Sequence, residues 1–146
     1  MNATRSLLLG FLLAAVTGCS TFDRDYQKAL EAPRTSGEGI QGPWEGRWQS
    51  QGGHGGDKLR ALLQQTAPDT YHARFRAQYW GIFATDQDVD LHVTSTAPPI
   101  NASGEANLGF FKGGVYHYDA TITPSQFEAT YKSKYDHGQF NLARPK

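Results

Sequence analysis

Apolar and polar residues alternate strictly along three stretches of this 146-residue chain, the period of a strand with one dry and one wet face. In the first stretch Tyr71, Ala73, Phe75, Ala77 and Tyr79 share one side, while His72, Arg74, Arg76 and Gln78 share the other. Phe83, Thr85, Val89, Leu91 and Val93 repeat the pattern against Asp86, Asp88, Asp90 and His92. Phe127, Ala129, Tyr131, Ser133 and Tyr135 repeat it against Glu128, Lys132 and Lys134.

Turn signals stand between the runs: glycines from 52 to 56, Ala67-Pro68-Asp69, Ala97-Pro98-Pro99, Gly113-Gly114, Pro124-Ser125 and the "YDHG" of 135–138. The runs so bounded predict about eight strands, over 44–50, 59–66, 70–80, 82–94, 102–110, 115–123, 126–134 and 138–144. Short connections favour antiparallel neighbours, and a meander of this length removes its edges by closing. The expected fold is therefore all-β, an antiparallel up-and-down β-barrel spanning residues 43–146.

Residues 19–42 come before it. The segment 22–33 allows one or two helical turns, with Asp23 or Asp25 near its start and Pro33 beyond its end, and "RTSGEGIQGP" reads as a flexible tether. The whole segment is expected to be a solvated spacer.

Residues 1–18 have one base, Arg5, no acid, and an apolar run from 7 to 16. That is a secretory signal, about half the length a helix needs to span a bilayer. Cys19, the one cysteine of the chain, follows Gly18, with Val16 three places before it. This arrangement resembles the lipobox of bacterial lipoproteins. The resemblance implies a diacylglyceryl group on the Cys19 sulfur, cleavage just before it and acylation of the new amine. Ser20, in place of Asp, implies an outer-membrane address facing the periplasm. The membrane is then a partner through the lipid on Cys19. Without residues 1–18 the chain keeps 13 bases against 14 acids, which gives nucleic acid no attraction.

In "WEGRWQS" the residues Trp44, Gly46, Trp48 and Ser50 face one way. Its Gly46-Arg47-Trp48, ahead of a meander, looks like the Gly-x-Trp opening of the calycin, or lipocalin-like, barrels. That resemblance implies that Trp48 plugs the closed end, that Gly46 lets the strand bend, and that Arg144 of "FNLARP" packs across Trp48. Over most of the chain, "WEGRWQS", "GHGGDKLRALL", "YHARFRAQYWGIF" and "YDHGQFNLARP" resemble an uncharacterised family of bacterial lipoproteins. This second resemblance implies the same barrel and envelope location, with no activity attached.

The glycine loop 52–56 lacks the Gly-Lys-Ser/Thr ending of a phosphate cradle and leads into a strand, so it reads as a hairpin connection. His54, His117 and His137 show no i, i+2 spacing on one strand, and His72 and His92 fall on wet faces, so neither metal nor cofactor is expected. His117 with Asp119, and Asp136 with His137, sketch a hydrolytic set, but no nucleophile motif accompanies them. Asp136 and Gly138 read better as a tight turn, with Asp starting it and Gly taking the positive φ. No catalytic residue is assigned, and a hydrolase-type enzyme ranks third.

Aromatic residues on the presumed inner faces carry more information. Tyr71, Phe75, Tyr79, Tyr131 and Tyr135 are the candidate ligand-binding residues, beside small inner positions such as Ala61, Ala73, Ala77 and Ala129. The leading expectation is a non-enzymatic barrel that binds a small apolar or amphipathic molecule or an envelope partner. The rival is a filled barrel, a structural or adaptor lipoprotein that recognises through its outer face, where Arg60, Arg74 and Arg76 lie.

Overall fold

A computed structural model describes residues 20–34, 39–53 and 55–146. The signal segment, Cys19 and His54 lie outside the described residues. Eight antiparallel strands, each hydrogen-bonded to the next, form one closed barrel: β1 (Gly42–Ser50), β2 (Gly55–Ala67), β3 (Thr70–Tyr79), β4 (Phe83–Ser95), β5 (Ile100–Asn107), β6 (Val115–Ile122), β7 (Gln126–Lys132) and β8 (His137–Ala143). The wall shuts where β1 meets β8, from Glu45 opposite Ala143 to Ser50 opposite Gly138. At that seam a side chain on Gly46 would run into the Asn141 carbonyl and the Leu142 Cα, so glycine is needed for close approach.

Alternation fills the interior. Large side chains (Trp44, Phe75, Tyr118, Phe127, Tyr131, Phe140) interdigitate with Ala61, Ala73, Ala102, Ala120 and Ala129, all buried. Phe75 sits at the centre, with Phe140, Phe127 and Tyr118 at centroid distances of 5.4, 6.2 and 6.4 Å.

The up-and-down order puts the β2–β3, β4–β5 and β6–β7 connections at one end, with the entry to β1. Trp44 plugs this end. It is fully buried, its Nε1 donates to the Ile40 carbonyl at 3.0 Å, and the Arg144 guanidinium lies 3.9 Å from its ring centroid. The expected pairing of Arg144 with Trp48 is thus corrected to Trp44. Register is the reason: Ala143 faces Glu45, which brings residue 144 beside Trp44, whereas Trp48 faces Phe140, four rungs away. Trp48 is buried toward the other end, against Tyr79.

The segment ahead of the barrel is a helix, α1 (Thr21–Glu31), and it is docked rather than solvated. The Ser20 hydroxyl accepts from the Asp23 amide at 3.2 Å, capping the first turn. Pro33 follows the last turn. Phe22 and Tyr26, one turn apart, are buried against the outer wall. An eleven-residue helix is marginal alone in water, so this contact is what holds it. Burying a side chain of this size contributes roughly 1.5 to 3 kcal/mol.

Candidate functional site

The connections β1–β2, β3–β4, β5–β6 and β7–β8 meet at the opposite end, and beneath them lies a cavity of about 50 Å³. Trp48, Phe75, Tyr79, Tyr116, Tyr118 and Tyr131 give it an aromatic wall, and Gln87 and Asp136 give it polar points. Three of the five expected ligand residues, Phe75, Tyr79 and Tyr131, do converge there.

The other two do not. Tyr71 is half-buried near the plugged end, where it pairs with Gln65 and Leu91. Tyr135 lies in the β7–β8 connection, 67% exposed, with the Lys134 ammonium over its ring. Phe83, also expected inside, is 61% exposed at the rim. Tyr135 and Phe83 are corrections with a related cause: Tyr135 stands past the last β7–β8 rung, and Phe83 stands on the last β3–β4 rung, far from the rungs that β4 shares with β5, so neither has a full wall to cover it.

Reasoning from the sequence missed Tyr116 and Tyr118. The period-two signal was present in "VYHYDATI", where Tyr116, Tyr118, Ala120 and Ile122 take the inner face and His117 and Asp119 the outer.

Several polar groups at this end pair with one another. Asp136 accepts from the Ser50 hydroxyl at 2.6 Å and from the Tyr131 hydroxyl at 3.1 Å, and the Gly52 amide donates to Ser50 at 3.0 Å. Tyr118 donates to the Gln87 side-chain oxygen at 3.1 Å, and the Trp48 indole donates to the Gln78 carbonyl at 3.1 Å. Gly138 is extended, not left-handed as the turn reading required. Its lack of a Cβ makes room for the Tyr131 ring and the Gln49 carbonyl. Burial raises the Tyr118 hydroxyl above its ordinary pKa, reinforced by the neighbouring Tyr116. Burial likewise raises Tyr79 and Tyr131, with Asp136 adding to both shifts. These hydroxyls stay protonated near neutrality, able to donate hydrogen bonds and unsuited to act as bases.

Among the described residues no buried side-chain nitrogen or oxygen lacks a partner, and no three His, Cys, Asp or Glu side chains converge as a metal set. His117 instead meets Glu105 on the outer wall at 2.7 Å.

On the outer wall, Arg60, Arg74 and Arg76 lie beneath or beside α1. Arg60 binds Asp23 at 2.6 Å, Arg74 binds Asp25 at 2.8 Å, and Arg76 joins Asp86 at 2.7 Å, within 3.7 Å of Asp23. The Arg60 and Arg74 guanidiniums also stack over Phe22, and that of Arg60 over Tyr26. Much of the surface that looked ready for a partner is taken by the chain's own helix.

The rim around the cavity is apolar. Trp80, Ile82, Phe83, Phe110, Val115 and Tyr135 are the large hydrophobic residues exposed among the described residues, and all six stand at this end. Trp80 and Gly81 both have positive φ, 51° and 70°, and the Ile82 amide donates to the Tyr79 carbonyl at 3.2 Å. In this three-residue connection, Tyr79 to Ile82 form a β-turn whose two central residues are left-handed, a position that favours Asn, Asp or Gly; a bulky residue with positive φ is an outlier. Comparison with protein-family models and with curated proteins gives no match.

Proposed function

We propose that the chain is a lipid-anchored protein of the bacterial cell envelope, a filled-barrel adaptor that works through its surface rather than through a ligand in its lumen. The observation carrying this reading is the interior cavity of about 50 Å³, roughly a sixth or less of an ordinary small-molecule pocket. Space of that order suits a water or two. The Asp136 carboxylate beside it is already bound by the Ser50 and Tyr131 hydroxyls, so a guest seeking that carboxylate would have to displace them.

The anchor rests on the sequence: a short secretory leader, then Cys19 in a setting that resembles a lipobox. The outer-membrane address rests on Ser20 in the same resemblance. Several acyl chains hold durably where one is marginal, at roughly 0.8 kcal/mol per buried methylene.

Two measurements test the two halves. Radiolabelled palmitate should enter the wild-type protein and not Cys19→Ala, and the variant should leave the membrane fraction; equal labelling overturns the anchor. Protein purified from its native envelope should yield no stoichiometric small molecule on solvent extraction and mass spectrometry. A guest present one to one would return the lumen to the centre of the function.

A further inference from the structure

The apolar rim is one face. Trp80, Ile82 and Phe83 form the β3–β4 tip, where the Trp80 and Phe83 rings are 6.3 Å apart. Phe110, Val115 and Tyr135 border one surface hollow with Lys132 and Lys134. Trp80, Ile82 and Phe110 are 75%, 81% and 82% exposed. Aromatic side chains present roughly 150 to 250 Å² each, so the rim exceeds the few hundred Å² that a monomer ordinarily shows.

Three observations decide what covers it. First, charge: among the described residues of the four connections the one acid is Asp136, held by Ser50 and Tyr131, while Lys112 and Lys134 are exposed. The face is apolar with a positive fringe. Second, residue type and placement: Trp, Tyr and Phe at loop tips beside lysines is the composition that settles at a bilayer interface, rings at headgroup depth and ammonium groups on anionic lipid. The wall below carries Arg76, Asp86, Asp88 and Asp90 and is not lipid-facing, so only the tips would enter. Third, the course of α1: its first turn places Asp23 at Arg60 and Arg76, the next brings Tyr26 to the Trp44 carbonyl, and Ala29 and Ala32 lie beside Arg144 at the plugged end. The helix therefore runs from the middle of the wall toward the plugged end and leaves the rim uncovered.

We propose that this aromatic rim is a lipid-surface docking site that seats the open end of the barrel on an anionic bilayer. The left-handed backbone at Trp80 serves that end, because it holds an exposed indole in the hairpin connection where an asparagine would suit the backbone better. The inference shares the envelope location proposed above and does not require the lipid on Cys19.

Trp80 is its own reporter, since Trp44 and Trp48 are buried. The full-length protein is added to vesicles of mixed phosphatidylethanolamine and phosphatidylglycerol, with and without bromine on the acyl chains. Trp80 emission should shift to the blue, be quenched by the brominated chains and lose its access to aqueous iodide; Trp80→Phe should remove that signal.

Trp80→Asn gives the hairpin its favoured Asn-Gly pair, so the variant should fold with an equal or higher unfolding midpoint. Combined with Ile82→Ser, it should weaken vesicle partition by roughly ten-fold or more where no acyl chain holds the protein. Both changes are repeated on Cys19→Ala. If acylation fails but the rim docks, this background still shows the same loss of partition. If acylation holds but the rim does not dock, the wild type is membrane-bound while Trp80 stays open to iodide. That result overturns the proposal, as does unchanged partition of the rim variants on Cys19→Ala. A blue shift without quenching by brominated chains would mean that protein covers the rim, and it overturns the proposal as well.

Discussion

Arg144 ties the plugged end together with one planar group. Its guanidinium lies on the Trp44 ring while donating to the carbonyls of Gln41, Gly39 and Pro43 at 2.7, 3.0 and 3.2 Å. Those carbonyls belong to the chain entering β1 and to the start of that strand, so the first residue beyond β8 fixes the approach to the barrel. Lysine keeps the charge and loses the fork, and is no substitute here. Trp44→Ala should cost about 3 to 5 kcal/mol, the usual loss for a buried large aromatic. A double-mutant cycle with Arg144→Ala should show a coupling of roughly 0.5 to 3 kcal/mol, where the cycle with Trp48→Ala should be near additive. Equal coupling to both tryptophans in denaturant titrations would contradict the register argument. That Arg144 packs across a tryptophan of β1 was legible through the calycin resemblance. Which tryptophan it meets was not, because parity places both on the same face and only the β1–β8 register separates them.

At the scale of elements, α1 is held by two carboxylates as well as two rings. The Ser20 hydroxyl and the Arg60 and Arg76 charges keep the Asp23 carboxyl below its usual pKa against an opposing burial effect, and the Arg74 hydrogen bond does the same for Asp25. A depressed carboxylate stabilises the folded state above its unfolded pKa, near about 3.9, and that contribution fades as pH falls through the lower folded value. Helix docking should thus be constant from neutral pH to about pH 4 and weaken below it. Hydrogen exchange of the α1 amides against pH measures this, and protection that stays flat into stronger acid would remove the carboxylates from the account. The Tyr26 hydroxyl, which donates to the Trp44 carbonyl at 3.1 Å, has its pKa pushed up to about 12, first by burial and then by Glu45. Tyr26→Phe should lose about 0.5 to 1.5 kcal/mol and free the helix selectively, seen as faster exchange in α1 than in β3. One or two helical turns within 22–33 were readable from Asp23, Asp25 and Pro33, and the helix spans about three. Its docking was not, since it depends on arginines from strands 37 and 49 residues further along the chain.

For the whole molecule, period two together with turn signals was enough to find eight strands, because the connections carry Gly, Pro or Asp. Volume is another matter. Ala73 and Ala77 beside Tyr71, Phe75 and Tyr79 are equally consistent with a cavity and with interdigitation, and only the facing strands decide. Here Phe140 and Tyr118 from across the barrel occupy the space that the alanines leave, and little remains. Ala77→Trp should accordingly overpack the open end, costing about 1 to 3 kcal/mol or more and lowering the unfolding midpoint. A variant as stable as the wild type would mean that the lumen opens in solution.

Gly46 and the seam it permits also govern the order of events in time. Glu45 and Ala143 stand at nearly opposite ends of the domain sequence, so the wall cannot shut until the final strand has arrived. Contacts this far apart pay their loop-closure entropy before they return anything, which puts such barrels among the slow folders. Until that moment β1 and β7 are both unpaired edges, each a template for the eighth strand of any copy nearby. Dilution, rather than stability, then decides whether a folding chain closes on itself or on its neighbour.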